Sequence, residues 1–188
     1  MADLQGKKVA VLVENGFEQV ELTSPVERLR QEGAEVTIVS PQSGTVKGWK
    51  MKEWGDEFDV DLSLDEAQPD AFDALLLPGG QMNPDRLRLN ENAVGFVKEF
   101  YASGKPIAAI CHAPWTLVEA GVVNGKRMTS WPSLKTDLKN AGADWVDEEV
   151  VVDNGLVTSR SPKDLPAFND KMVEEFAEGP HGARRSAS

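Results

Sequence analysis

Short, nearly continuous apolar runs recur along this chain, and amphipathic helical patterns separate them. Residues 7–13 read KKVAVLV, a run without polar alternation. A strand needs that pattern only when both of its faces are covered. The same kind of run returns in AEVTIVS (34–40), FDALLLPGG (72–80) and KPIAAI (105–110). Between these runs lie QVELTSPVERLRQEG (19–33), with apolar residues at helical spacing and a stop at Gly33, and PDRLRLNENAVGFVKEFYASGK (84–105), with a break near Asn90. Later strands are expected in KRMTS, WVDEEVVVD and LVTSR, with a helix in SLKTDLKNAG between the first two. A final helix is expected in DLPAFNDKMVEEFAEG. Strands alternating with helices of this length predict right-handed crossovers and a parallel sheet with helices on both faces. Residues 44–61 are less regular, with room for a hairpin. Residues 1–179 are expected to form one domain, and GPHGARRSAS, small and polar, a mobile tail over 180–188. On that reading His181 lies outside the folded body, which keeps one histidine, His112.

The chain has 188 residues, one cysteine, two histidines and a formal net charge of -11. Its length suits one domain with a sizeable core. Its acidity speaks against electrostatic binding of nucleic acid. No apolar run approaches the roughly 20 residues that cross a bilayer, and the first residues carry no small-residue cleavage site, so neither membrane insertion nor a signal peptide is expected. A lone cysteine forms no intrachain disulfide, which suits a reducing compartment and places the protein in the cytoplasm. So few histidines and cysteines leave little for a transition metal, and no metal or other cofactor is expected. The carboxylate runs VDEEVVVD and VEEFAE read as solvated faces.

In open α/β sheets, sites form beyond the carboxyl ends of the strands. Three such ends carry suggestive residues: Glu14 after the first run, Gly79-Gly80 after LLLP, and Cys111 after PIAAI. A nucleophile on a tight strand-to-helix turn needs small residues two places before and after it. Ala109 and Ala113 occupy those places, and Pro114 suits a first helical turn. At a helix N-terminus Cys111 would be drawn toward thiolate. The alternative is an inert buried thiol, the usual state of a free cysteine. Small flanks, a histidine neighbour and a Gly-Gly strand end together favour the reactive reading.

The set AICHAP, VENGFEQVEL and ALLLPGGQMNPDRLRLNE, followed by TSWPSLKTDLKNAGADWVDEEVVVDNGLVTSR, resembles the PfpI-type intracellular protease family. That family lies within the superfamily of the Parkinson-associated deglycase. The likeness spans about residues 7–176. It implies a flavodoxin-like α/β sandwich, with Cys111 as nucleophile, His112 as its histidine, and Glu14 as a buried acid touching the thiol. It implies that Gly80 and the His112 backbone hold an oxyanion. In its peptidase form an acid from a neighbouring subunit orients the histidine, and Asp85 stands at that place. This implies a homodimer or higher oligomer.

A protonated Glu14 would donate to the sulfur, whereas an ionised one would repel a thiolate. His112, adjacent to Cys111 on a sharp turn, is expected to point elsewhere. Gly79 and Gly80 allow a backbone turn and close approach to substrate. Trp131 is either a pocket wall or core. Three functions fit. The first is a stress enzyme acting on small dicarbonyls or glycated proteins, by deglycation or by hydration to a hydroxy acid. The second is a peptidase using Cys111, His112 and Asp85. The third is a redox-sensing or chaperone-like protein with an oxidisable cysteine.

Overall fold

The structure is a computed structural model and describes residues 3–182. Its strands are β1 (Lys8–Leu12), β2 (Phe17–Glu18), β3 (Glu35–Ser40), β4 (Thr45–Lys50), β5 (Glu53–Asp59) and β6 (Leu62–Ser63), then β7 (Ala74–Leu77), β8 (Ile107–Ile110), β9 (Arg127–Met128), β10 (Asp144–Trp145), β11 (Val151–Asp153) and β12 (Leu156–Ser159). Its α-helices are α1 (Val20–Gln31), α2 (Met82–Leu87), α3 (Glu91–Ala102), α4 (Pro114–Glu119), α5 (Lys135–Asn140) and α6 (Leu165–Glu178).

Seven strands form the central sheet in the order β11-β12-β8-β7-β1-β3-β6. All pairings are parallel except that of the edge strand β11 with β12. The apolar runs are buried on both faces, as a doubly covered sheet requires. Ala10, Leu12, Leu75 and Leu77 point into one core with Phe96 and Phe100 of α3. Val9, Val11, Leu76 and Ala108 point into the other with Leu29 of α1 and Phe168 of α6. The expected sheet between two helix layers is therefore present, with one antiparallel edge added.

Asn90 marks the expected break: its side chain accepts from the N–H groups of Asn92 and Ala93 and caps α3. The irregular segment 44–61 is a hairpin, β4 and β5, to which β2 adds as a third strand. The run WVDEEVVVD does not form one strand. It splits into β10, paired with β9 in a separate two-stranded sheet, and β11 on the edge of the main one. Three successive acids explain the split. Asp147 pairs with Arg160 and Glu148 with Arg127 at the surface, and such charges do not enter a covered sheet.

His181 is not loose. Its N–H donates to the Gly104 carbonyl at 2.9 Å, and its Nε2 lies 3.1 Å from Glu175 Oε2 on α6. The tail expected to be mobile begins at residue 180; its residues 183–188 lie outside those described. No helix among the described residues is long and apolar enough to cross a membrane.

Candidate active site

The carboxyl ends of β1, β7 and β8 lie side by side in the sheet, so the segments that leave them converge. Cys111 follows β8 directly and has φ +64°, a left-handed conformation rare for a residue with a Cβ. Both backbone groups hold it there. Its N–H donates to Ser159 O at 3.0 Å, and its carbonyl accepts from Trp131 N–H at 2.9 Å. The small neighbours Ala109 and Ala113 are buried against this turn. This is the elbow expected from AICHAP.

His112 does not diverge from Cys111. Its Nδ1 lies 3.1 Å from Sγ. Trp131 stacks on the imidazole at 5.6 Å with planes 21° apart, and Trp115 meets it edge-on at 5.1 Å. Burial pushes the His112 pKa down to about 4. At neutral pH the ring is therefore uncharged and can accept a proton from the thiol.

The acid beside the thiol is Glu21, not Glu14. The Glu14 carboxylate accepts from its neighbour Asn15 N–H at 2.7 Å and from Gln42 Nε2 at 3.2 Å. Its backbone N–H donates to Asn83 Oδ1 at 2.7 Å, and Asn83 in turn donates to the carbonyls of Pro78 and Gly79. Glu14 thus braces the Pro-Gly-Gly turn from behind. The chain runs on through β2 before α1 begins, and the first turn of α1 carries Glu21 under that turn with no solvent exposure. Glu21, Pro25 and Leu29 are all buried at helical spacing on α1. An acid in an apolar stripe was the sequence signal that identifies it. The Cys111 thiol and the N–H groups of Gly79 and Gly80 face its carboxyl, yet none meets the oxygens at full hydrogen-bond geometry. An ionised Glu21 would be a poorly compensated buried charge. Burial first, and the charge of Glu18 second, push its pKa up to about 8.

Burial also pushes the Cys111 thiol up, and an ionised Glu21 would push it further, while the N–H groups of Gly80 and His112 pull it down. The thiolate expected from a helix N-terminus is therefore not the resting state: desolvation outweighs the two N–H groups. Below about pH 8 Glu21 is protonated. Its repulsion is then absent, and its proton faces the sulfur.

Gly79 shows how tightly these groups converge. A Cβ there would collide with the Ile110 carbonyl and lie 2.6 Å from both Cys111 Cβ and Glu21 Oε1. Gly79→Ala should cost about 1–3 kcal/mol of stability by overpacking and push thiol and carboxyl apart. Urea unfolding measures the first effect, and the rate of Cys111 alkylation the second. Wild-type values for both would mean that the site is looser than this geometry. Gly80 has φ +77°, and its Cβ would meet the Glu18 N–H and the Gly16 carbonyl.

A cavity of about 310 Å³ opens over Cys111, lined by Glu18, Glu21, Met51, Gly80, His112 and Trp131 among others. Trp131, 39% exposed, is pocket wall rather than core. Met51 sits at the β4–β5 turn, its N–H donating to Glu18 Oε1 at 3.1 Å. The hairpin thus overhangs the site, and no residue spacing marked it. Asp85 is exposed on α2, and among the described residues it makes no hydrogen bond or ion pair with His112.

Residues 7–175 match the DJ-1/PfpI family. The chain is 48% identical over 167 residues to the deglycase PH1704 of Pyrococcus horikoshii, covering 89% of this chain and 98% of that one. It is 49% identical over 169 residues to protein/nucleic acid deglycase 2 of Escherichia coli, with 89% and 96% covered. The crystal structure of Drosophila melanogaster DJ-1beta superposes with a TM-score of 0.83 at 33% identity, over 91% of this chain and 90% of that one.

Proposed function

The chain belongs to the DJ-1/PfpI family, and on that premise we propose that it is a cysteine-dependent enzyme that removes dicarbonyl adducts from proteins or hydrates the free dicarbonyl to a hydroxy acid. One observation carries this reading: a thiol held in a left-handed elbow, 3.1 Å from a neutral imidazole, with a protonated buried carboxyl on its other side. Two relatives named deglycases support the substrate class.

The geometry yields a balanced sequence. Methylglyoxal and an amine give a carbinol, R–NH–CH(OH)–CO–CH3. Cys111 sulfur bonds to the carbinol carbon, the C–N bond breaks, and the thiol proton passes through His112 Nδ1 to the departing amine. A proton then moves from the thiohemiacetal carbon to the neighbouring carbonyl carbon by way of an enediol, leaving a hydroxyacyl thioester. His112, neutral again, takes the proton from the thiohemiacetal carbon while protonated Glu21 donates to the neighbouring carbonyl oxygen. The Glu21 carboxylate then takes the proton of the other enediol hydroxyl as His112 returns its proton to carbon. The N–H groups of Gly80 and His112 support oxygen charge as it forms. Water cleaves the thioester, giving the hydroxy acid and free thiol. The free dicarbonyl enters the same path at the thiohemiacetal.

The enzyme acts as an oligomer in a reducing compartment such as the cytoplasm, where its single thiol stays available. Asp85 reaches His112 only from a neighbouring copy, in the peptidase reading. The test incubates the protein with methylglyoxal-modified Nα-acetyl-arginine and Nα-acetyl-lysine, with free methylglyoxal, and with unmodified peptides. Release of hydroxy acid with the first three, and intact peptides, is expected. Peptide cleavage without hydroxy acid would replace this reading with the peptidase.

A further inference from the structure

We propose that Trp115 and Trp131 are positioning residues that clamp the His112 imidazole onto Cys111. The proposal rests on the reading of Cys111 as nucleophile.

Side chains of successive residues on a sharp turn ordinarily point apart, so a ring turned back onto the preceding sulfur has to be held. The two indoles constrain it from different directions. Trp131 covers its face at 5.6 Å with planes 21° apart, and Trp115 meets it at 5.1 Å and 67°. The Trp131 backbone N–H donates to the Cys111 carbonyl at 2.9 Å, which ties the backbone of the wall residue to that of the nucleophile. The Trp115 indole N–H donates to Asp137 Oδ2 at 3.2 Å. Arg88 lies 5.9 Å over the same ring and is held by Glu119 at 3.2 Å.

A carboxylate partner would hold a histidine through its second nitrogen and favour the imidazolium. Indoles offer no such acceptor, and by excluding water they add to the burial that keeps the ring neutral against the cation–π attraction of their faces. A thiol donating to Nδ1 leaves the proton on Nε2. Among the described residues no side chain meets Nε2. The charged or titratable groups around the ring are Cys111, Glu18 and Glu21 across the cavity, Arg88 behind Trp115, and Asp137 at its indole N–H. None of these carboxylates bonds the imidazole.

The chain's two histidines and single cysteine make the test direct. In a His181→Gln background His112 is the only imidazole, and its tautomer and titration are read by 15N NMR. Cys111 is the only thiol, and its alkylation by iodoacetamide is followed against pH. The parent protein should show one tautomer, protonated on Nε2, and keep a neutral ring down to about pH 4. Trp131→Ala and Trp115→Leu should mix the tautomers and raise the midpoint toward about 6.5. The acid-side loss of alkylation should move upward with it. Trp115 does not line the cavity, so Trp115→Leu should lower kcat for adduct turnover about 10- to 100-fold with KM unchanged. Trp131→Phe, which keeps a stacking ring, should retain the parent tautomer.

Unchanged tautomer and titration in Trp131→Ala and Trp115→Leu would overturn the clamp. If the larger truncations do not fold, Trp115→Phe and Trp131→Phe decide, since loss of the single tautomer despite an aromatic ring contradicts the proposal. The NMR and alkylation readouts need no substrate. Absent adduct turnover with an intact clamp would therefore count against the proposed function alone.

Discussion

Cys111→Ala should bring adduct turnover down to the uncatalysed background, a loss of at least about 10³-fold. Every bond-making step runs through that sulfur, and the chain has no second thiol to replace it. Cys111→Ser should fare little better, because the hydroxyl is a weak nucleophile beside an imidazole that burial has made a weak base. The two small replacements also report on the elbow. Cys111 holds φ +64°, where a Cβ costs about 1–2 kcal/mol and glycine costs nothing. Cys111→Gly should therefore be more stable than Cys111→Ala by about 1 kcal/mol, which urea unfolding resolves. Hydroxy acid release by a Cys111→Ala protein at more than a few per cent of the parent rate would remove the thiol from the mechanism. Equal stability of the glycine and alanine variants would remove the strain.

Glu21 should give the second large effect. Glu21→Leu removes both the donor beside the sulfur and the proton carrier for the enediol step, and turnover should fall about 10²- to 10³-fold. Glu21→Gln keeps a donor but cannot pass a proton. It should retain Cys111 alkylation near the parent rate while turnover falls about as far as in the leucine variant. If Glu21→Gln turns over adducts at the parent rate, the carboxyl only tunes the thiol.

The same residue sets a pH dependence of stability. Its folded pKa is about 8 against an ordinary value of 4.5. A carboxyl raised on folding stabilises the fold fully below its unfolded pKa. That contribution is lost as pH rises from about 4.5 through about 8, on the order of 3–5 kcal/mol for a shift of this size. His112 works in the other direction. Its pKa falls from 6.5 to about 4 on folding, so its contribution is full above 6.5 and lost as pH drops toward 4. Between about 4.5 and 6.5 the two slopes oppose each other in the parent protein. Glu21→Gln removes one of them and leaves the other. Relative to the parent, the glutamine variant should gain stability between pH 5 and pH 8, measured by urea unfolding at several pH values. Parallel curves for the two proteins would falsify a raised carboxyl.

Burial outweighed two backbone donors at Cys111, and it also explains which features of this chain were legible in one dimension. A strand covered on both faces must be apolar throughout, so KKVAVLV, ALLL and PIAAI declared the sheet and its double covering. A tight strand-to-helix turn must be flanked by small residues, so Ala109 and Ala113 declared the elbow and singled out Cys111. Gly79 and Gly80 were visible as a Gly-Gly strand end, but the crowding that requires them comes from Gly16, Phe17, Glu18, Glu21, Ile110 and Cys111, which only the fold brings there.

The identity of the acid was not local. Glu14 stands at the end of β1, where a strand-end rule points, and its side chain turns to Asn15 and Gln42. Glu21 reaches the thiol because α1 must pack its Leu22, Val26 and Leu29 stripe on the sheet, and that packing drives an acid on the same stripe beneath Gly79. His112 was assigned by its place next to Cys111, but its ring packs against two tryptophans, Trp115 three residues and Trp131 nineteen residues beyond it, which no local pattern announced. The thiol's protonation followed the same division. A helix start beside Cys111 is visible in sequence, whereas the desolvation that opposes it depends on how much chain from elsewhere closes over the site. The sequence by itself determined the sheet, the elbow and the nucleophile, each fixed by steric or hydrophobic needs within a few residues. Only the tertiary structure decided which carboxyl faces the sulfur, what holds the imidazole and where the protons rest, because these depend on distances between residues that the fold, not the chain, makes neighbours.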